Sequence, residues 1–279
     1  MGRRVYAKRR GIGSRAGRIA GVTIHPSAVV EEGAKIGADV EIGAFAFVGT
    51  GVVVGDGCVL EPHACLKGPL NLGAGCRVGS SAVLGGDPQV KGKEGPFGAV
   101  RIGAGNVFRE SSTVHRSMFP DKETVLGDGC YLMAGAHVGH DCLLGDNVII
   151  TNQSMLAGHV TVGDGVYLSG LCGVHQFCRI GEFAMMSGGS IITQDLPPFC
   201  ISVGSRPARL GGLNVVGMRR AGVSTEARKA VKEAYRILFR SDDPLPDRLA
   251  RVESGVPEVD RLVEFVRASE RGVVGVSGE

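Results

Sequence analysis

From Ile24 every sixth residue is aliphatic: Ile24, Val30, Ile36, Ile42, Val48, Val54, Leu60, Leu66, Leu72, Val78 and Leu84. The register breaks, resumes at Ile102, Phe108 and Val114, breaks again, and then runs without a gap from Leu126 to Ile192. A fixed short period over most of a chain is the signature of a solenoid, and a period of six is that of a parallel β-helix. The residue two before each aliphatic position is usually small or β-branched, as in Ala28, Ala34, Val40, Ala46 and Val52, and the residue after it is often Gly. Each unit therefore reads as a short strand with one large and one small inward residue, followed by a tight turn. Three units close a triangular coil of 18 residues. This explains the 45 Gly among 279 residues without a collagen triplet.

Six of the eight cysteines (Cys58, Cys76, Cys130, Cys142, Cys172, Cys178) fall on the small inward position. Free Cys packs as a small hydrophobe, and thiols used as core filler suit a reducing compartment, so the expected location is cytoplasmic. No CxxC pair supports a zinc ribbon or a redox motif. With no Trp, 4 Tyr and 10 Phe the chain lacks the aromatics of a base-stacking module. No nucleic-acid partner is expected. No uncharged run of 18 apolar residues predicts a membrane span.

The domain reading is a basic extension at 1–21, a β-helix at 22–198 with excursions at 85–99 and 115–123, and a helical region at 199–279. The extension holds Arg3, Arg4, Lys8, Arg9, Arg10, Arg15 and Arg18 with no acid and no apolar segment of the secretory kind. A transit peptide, a nucleic-acid arm, a misplaced start and a disordered extension are its possible readings, the last two favoured. In the C-terminal region Ser224 is a predicted N-cap, with Val231, Tyr235 and Leu238 at helical spacing, and Pro257 opens a second predicted helix over 257–270.

Where the period is unbroken, residues 18 apart stack in columns about 4.8 Å apart along the axis. One column is His140, Gly158 and Gln176; the next is Asp141, His159 and Phe177; a third is Gly139, Ala157 and His175. With His137, four of the seven histidines gather at one corner beside a carboxylate. Three readings are open: solvated turn positions, a metal site, and general-base catalysis. In the last, a carboxylate fixes a histidine's tautomer while a Gly N–H stabilises an oxyanion.

The stretches GGDPQ (85–89), FRESSTVHR (108–116), YLMAGAHVGHDCLLGDN (131–147), LAGHV (156–160), GVHQFCRIG (173–181) and QDLPPF (194–199) resemble the bacterial UDP-N-acetylglucosamine O-acyltransferases of lipid A synthesis. The resemblance runs from about 22 to 270. It implies a left-handed β-helix, a homotrimer with sites between subunits, and transfer of a 3-hydroxyacyl group from acyl carrier protein to the sugar 3-hydroxyl. No cofactor or metal is implied beyond the carrier thioester as co-substrate. His140 would be the general base, Asp141 its orienting neighbour and Gly158 the oxyanion donor. Asp87, His137, His159, His175, Gln176, Asn214 and Arg220 would bind substrate, and Gly188 would set acyl length by leaving room for a long chain.

This sequence departs from the family after GGDPQ, where VKGKEGPFG replaces a Lys-Tyr pair followed by Gly-Glu. It departs also at Gly135, in place of Asn, and at Ala221 after Arg219-Arg220. The alternatives to UDP-N-acetylglucosamine acylation are the same transfer to an amino-sugar nucleotide, a catalytically silent scaffold, and a metal-dependent hydratase. An acidic carrier protein needs a basic dock. The candidates are Arg219, Arg220, Arg228, Lys229, Lys232, Arg236 and Arg240, which also read as an ordinary solvated helix face.

Overall fold

The computed structural model describes residues 21–205, 207–253 and 255–275; the basic segment read as an extension lies outside them except for Gly21. Two- to four-residue strands stack in parallel into three sheets, and neighbours within a sheet are three strands apart in the chain. The three faces follow one another along each coil. The first carries Tyr131–Leu132 and Ile149–Ile150, the second His137–Val138 and Met155–Leu156, and the third Leu143–Leu144 and Thr161–Val162.

Inward residues alternate with outward ones, as the pleat requires. Leu60, Leu66, Leu84, Leu132, Ile150, Leu156 and Leu168 are buried in one continuous core. Cys58, Cys76, Cys130, Cys142, Cys172 and Cys178 are buried as well. Several of their thiols donate to the carbonyl of a neighbouring turn, for example Cys142 to Ala157 at 3.1 Å and Cys130 to Gly145 at 3.3 Å. Burial pushes the Cys142 thiol up to about 12, which leaves it inert as a nucleophile.

The turns between the third and first faces show why Gly follows the aliphatic position. Asp146 and Asp164 each accept, through Oδ1, the backbone N–H of the preceding coil's aspartate, at 2.7 and 2.8 Å. A Cβ built on Gly127 or Gly145 would fall 2.2 or 2.0 Å from those carboxylate oxygens. Only a residue without a side chain lets the coils close on that ladder.

Both register breaks are loops inserted between consecutive strands without disturbing the stack. Within the coils up to Ile192, pairs that span neither loop step by 18 residues, as His137↔Met155. Those spanning the first loop step by 30, as Val78↔Phe108, and those spanning the second by 24, as Thr113↔His137. Both insertions are whole multiples of six, so the aliphatic register survives them.

After the coils the chain forms an antiparallel pair, Cys200–Val203 with Arg209–Leu213, which extends the first face. The helical reading of the region from 199 missed this pair, because its Gly211-Gly212 segment carries no strand alternation. Among the described residues four helices follow: α1 (Val215–Arg220), α2 (Thr225–Phe239), α3 (Leu245–Ala250) and α4 (Pro257–Arg267). Ser224 caps α2 by accepting the Ala227 N–H at 3.0 Å, and Pro257 opens α4. Their apolar faces join Phe199 and Val273 in a second core against the end of the coils.

Leu156 is fully buried and lies under the second face, so Leu156→Ala leaves a cavity costing about 3 kcal/mol. A thermal melt should show a clear drop in midpoint; an unchanged midpoint contradicts a tightly packed coil interior.

Candidate active site

The turns between the second and third faces carry the histidine cluster. Asp141, His159 and Phe177 occupy equivalent positions in successive coils with φ of 61°, 62° and 66°. Asn147 and Gln153 adopt the same left-handed conformation at the other two corners, so the turn imposes it and the chemistry does not. What distinguishes this corner is its side chains.

The columns expected from the 18-residue coil are present. His159 stacks on Phe177 with ring centroids 4.6 Å apart, and His140 meets His159 edge-on at 5.0 Å. The His140 ring lies over Gly158, where a Cβ would fall 2.5 Å from its Cε1. His140 Nδ1 is 2.7 Å from Asp141 Oδ2, an arrangement that puts the ring proton on Nδ1 and leaves Nε2 as a free base. The Gly158 N–H donates to no protein acceptor among the described residues, while its carbonyl accepts from Phe177 N–H at 3.2 Å.

Asp141 is held from three further directions. The Ser117 hydroxyl donates to Oδ1, Met118 N–H to Oδ2 at 3.2 Å, and the Asp141 N–H bonds the buried Thr124 hydroxyl at 2.7 Å. Burial pushes its carboxyl up, but the Ser117 and His140 donors outweigh burial and hold it below the usual carboxylate range. It is an anion whenever His140 works.

Burial disfavours charge on three imidazoles near it. Burial, with His115 and His140 adding repulsion, pushes His137 down to about 4. Burial likewise lowers His159 against the attraction of Asp141, and lowers His115 against its bond to the Asp87 carbonyl. His137 Nδ1 is 2.8 Å from the Thr113 hydroxyl, and His115 Nδ1 donates to Asp87 O at 2.6 Å.

His115, Ser117, Met118 and Thr124 were not among the sequence candidates. His115, Ser117 and Met118 reach the site through the 24-residue step across the second excursion, while Thr124 lies just ahead of Leu126, where the columns were begun. Of the other candidates, Asp87 pairs with Arg116 near His115, and His175 and Gln176 are exposed on the next coil. Gly188 sits at a different corner, between the first and second faces, with only Gly170 O near its open side at 3.7 Å. Asn214 caps α1 and donates to Phe183 O at 2.8 Å; with Arg220 it lines a cavity of about 800 Å³ on the first face. One chain therefore does not bring Gly188, Asn214 and Arg220 to His140.

Coils of this period bearing a histidine–carboxylate corner define a hexapeptide transferase. Residues 123–158 match the family described as bacterial transferase hexapeptide repeats. Residues 195–274 match that described as UDP N-acetylglucosamine O-acyltransferase, domain 2. The chain is 41% identical over 260 residues to the acyl-[acyl-carrier-protein]–UDP-N-acetylglucosamine O-acyltransferase of Burkholderia orbicola, covering 90% of this chain and 98% of the relative. It is 45% identical over 256 residues to the enzyme of that name from an Anaeromyxobacter species, covering 90% and 99%. Among solved structures, the UDP-N-acetylglucosamine acyltransferase of Bacteroides fragilis superposes with a TM-score of 0.86 at 35% identity, covering 90% of this chain and all of that one. That of Campylobacter jejuni gives 0.84 at 36%, covering 91% and all. The chain belongs to the UDP-N-acetylglucosamine O-acyltransferase family. It is an acyltransferase built on the left-handed parallel β-helix.

The depressed His137 has a measurable consequence. As pH falls from about 6.5, its ordinary value, to about 4, the unfolded chain takes up a proton that the folded His137 refuses. Stability is therefore full above 6.5 and is lost as pH falls through that window. Melting midpoints should decline between pH 7 and 4.5, and His137→Gln should flatten the decline; an unaltered slope contradicts the buried neutral imidazole.

Proposed function

We propose that this protein transfers a 3-hydroxyacyl group from acyl carrier protein to the 3-hydroxyl of UDP-N-acetylglucosamine, the first step of lipid A synthesis, with His140 as general base. The observation that carries the mechanism is the 2.7 Å bond from His140 Nδ1 to a fixed, anionic Asp141. His140 Nε2 takes the proton from the sugar hydroxyl as its oxygen attacks the thioester carbonyl. The oxyanion of the tetrahedral intermediate accepts from the Gly158 N–H. Collapse breaks the carbon–sulfur bond, and the His140 imidazolium returns its proton to the departing thiolate, leaving acyl sugar and free carrier thiol. Asp141 stabilises the imidazolium in between. The reaction needs no cofactor. His137, His159, His175, Gln176 and Asp87 line this corner as substrate contacts.

Two observations support a homotrimer as part of this reading. Gly188, Asn214 and Arg220 lie on other edges of the prism from His140, so a shared pocket needs a neighbouring copy. Met155 and Ile191 on the second face, Leu171 at its edge and Leu143 on the third are exposed apolar residues that such a copy would cover. On α2 and its C-cap, Lys229, Lys232, Arg236 and Arg240 are exposed with one acid, Glu233, among them. That surface suits an acidic carrier protein. No helix of the described residues is long and apolar enough to cross a membrane. A cytoplasmic enzyme is the reading we adopt.

One observation favours a metal-dependent reading instead: ligand atoms of His140, Asp141 and His159 lie within 4.8 Å of one another. Tetrahedral zinc with bonds near 2.0 Å separates its ligand atoms by about 3.3 Å, and the 2.7 Å His140–Asp141 bond is tighter than that. Turnover unaffected by a chelator is the expected result, and loss restored by zinc would favour the metal-dependent reading.

The test is mass spectrometry of a reaction containing UDP-N-acetylglucosamine and mixed 3-hydroxyacyl carrier-protein thioesters. Acylated nucleotide sugar is expected, with His140→Ala lowering kcat about 10³-fold. A loss under tenfold, or acylation of an amino-sugar nucleotide in preference, contradicts the assignment. In the same assay Gly188→Met should move the product distribution toward shorter chains, and an unmoved distribution removes Gly188 from the acyl pocket.

A further inference from the structure

The two excursions from the coil pack on each other beside the catalytic corner. Gly98 N–H donates to Ser117 O at 3.0 Å, and the Arg116 guanidinium lies 5.6 Å from the Phe97 ring centre. At the inner end of this contact Phe119 faces His159, with centroids 6.2 Å apart. His159 is thus held between Phe119 and Phe177. Two ammonium groups converge on Phe119: Lys122 at 4.9 Å from the ring centre, and Lys93, from the other excursion, at 6.0 Å. The Lys122 charge is felt at His159, where it opposes protonation.

Neither lysine forms an ion pair among the described residues, and the neighbouring Glu123 is already engaged by Arg101 at 2.8 Å. Two ammonium groups without an ion pair among the described residues, held over one ring at the rim of the site, are arranged for an anion. Resting on the acyl-transfer reading above, we propose that Lys122, with Lys93 and the Phe119 ring as its platform, binds a phosphate ester of a substrate as it enters the His140 site. Both substrates of that reading carry one: the diphosphate of the nucleotide sugar, and the phosphodiester that links the acyl-bearing arm to its carrier. Arg116 cannot take this part, because it is occupied by Asp87 and by the Gly68 carbonyl. The Gly-rich sequence from 90 to 98, which departs from the family, supplies Lys93 and Phe97 to this lip.

The experiment compares wild type with Lys122→Met, Lys93→Met, the double variant and Lys122→Arg. Both lysines are exposed, so the variants should melt as wild type does. The expected result is a rise of about tenfold in one KM for Lys122→Met, with kcat within twofold and Lys122→Arg close to wild type. A rise confined to the KM for UDP-N-acetylglucosamine identifies the diphosphate, and one confined to the carrier thioester identifies the phosphodiester. If neither KM moves in the double variant, the proposal is wrong. Calorimetric binding of UDP and of 4′-phosphopantetheine is measured in parallel. Should wild type show no turnover, the acyl-transfer reading fails. Weakened binding of either probe in the double variant still supports the anion site, and unchanged binding of both overturns it.

Discussion

The backbone ladder between coils is the constraint on which everything else depends. A parallel stack holds successive coils about 4.8 Å apart and fixes which residues face each other. The turns must then close within that spacing, and most of their N–H groups find an acceptor on a neighbouring coil. The Asp146 and Asp164 carboxylates do this at one corner. At the corner between the second and third faces the equivalent room is taken by His140 over Gly158 and by His159 on Phe177. The site is therefore made of turn positions that a purely structural coil fills with small or acidic residues.

That rigidity suits a mechanism that runs on one proton. Asp141 is bonded by Ser117, Met118, His140 and Thr124, so it has little freedom to turn away from the imidazole it orients. Burial disfavours charge on His137, His115 and His159, and in the proposed mechanism the proton accepted from the substrate rests on His140 beside the one fixed carboxylate. The electrostatics follow from fold geometry: turn side chains at this corner are partly buried by those of the neighbouring coils.

How much of this is legible in the sequence depends on how local the cause is. The aliphatic register from Ile24 to Ile192 and the cysteine lining follow from a period that each unit obeys alone. The His140–Gly158 and Asp141–His159–Phe177 columns follow from that period where it is unbroken. Ser117 and His115 were hidden, because an inserted loop changes the step from 18 to 24 and pairing across it is invisible until the register is known. The pair Cys200–Val203 with Arg209–Leu213 was missed since glycines carry no alternation. Residue similarity named Gly188, Asn214 and Arg220, but their lying on other edges of the prism is a fact of three dimensions.

Whether a working site is shared between copies is the central claim, and mixing inactive subunits tests it most directly. His140→Ala and Arg220→Ala proteins are each prepared, unfolded together in equal amounts and refolded, and acyl transfer is measured. If His140 and Arg220 of different chains serve one site, about a quarter of the sites in random trimers are intact, and activity returns toward that fraction of wild type. A mixture as inactive as its parents would contradict the account, since it would mean that each chain works alone.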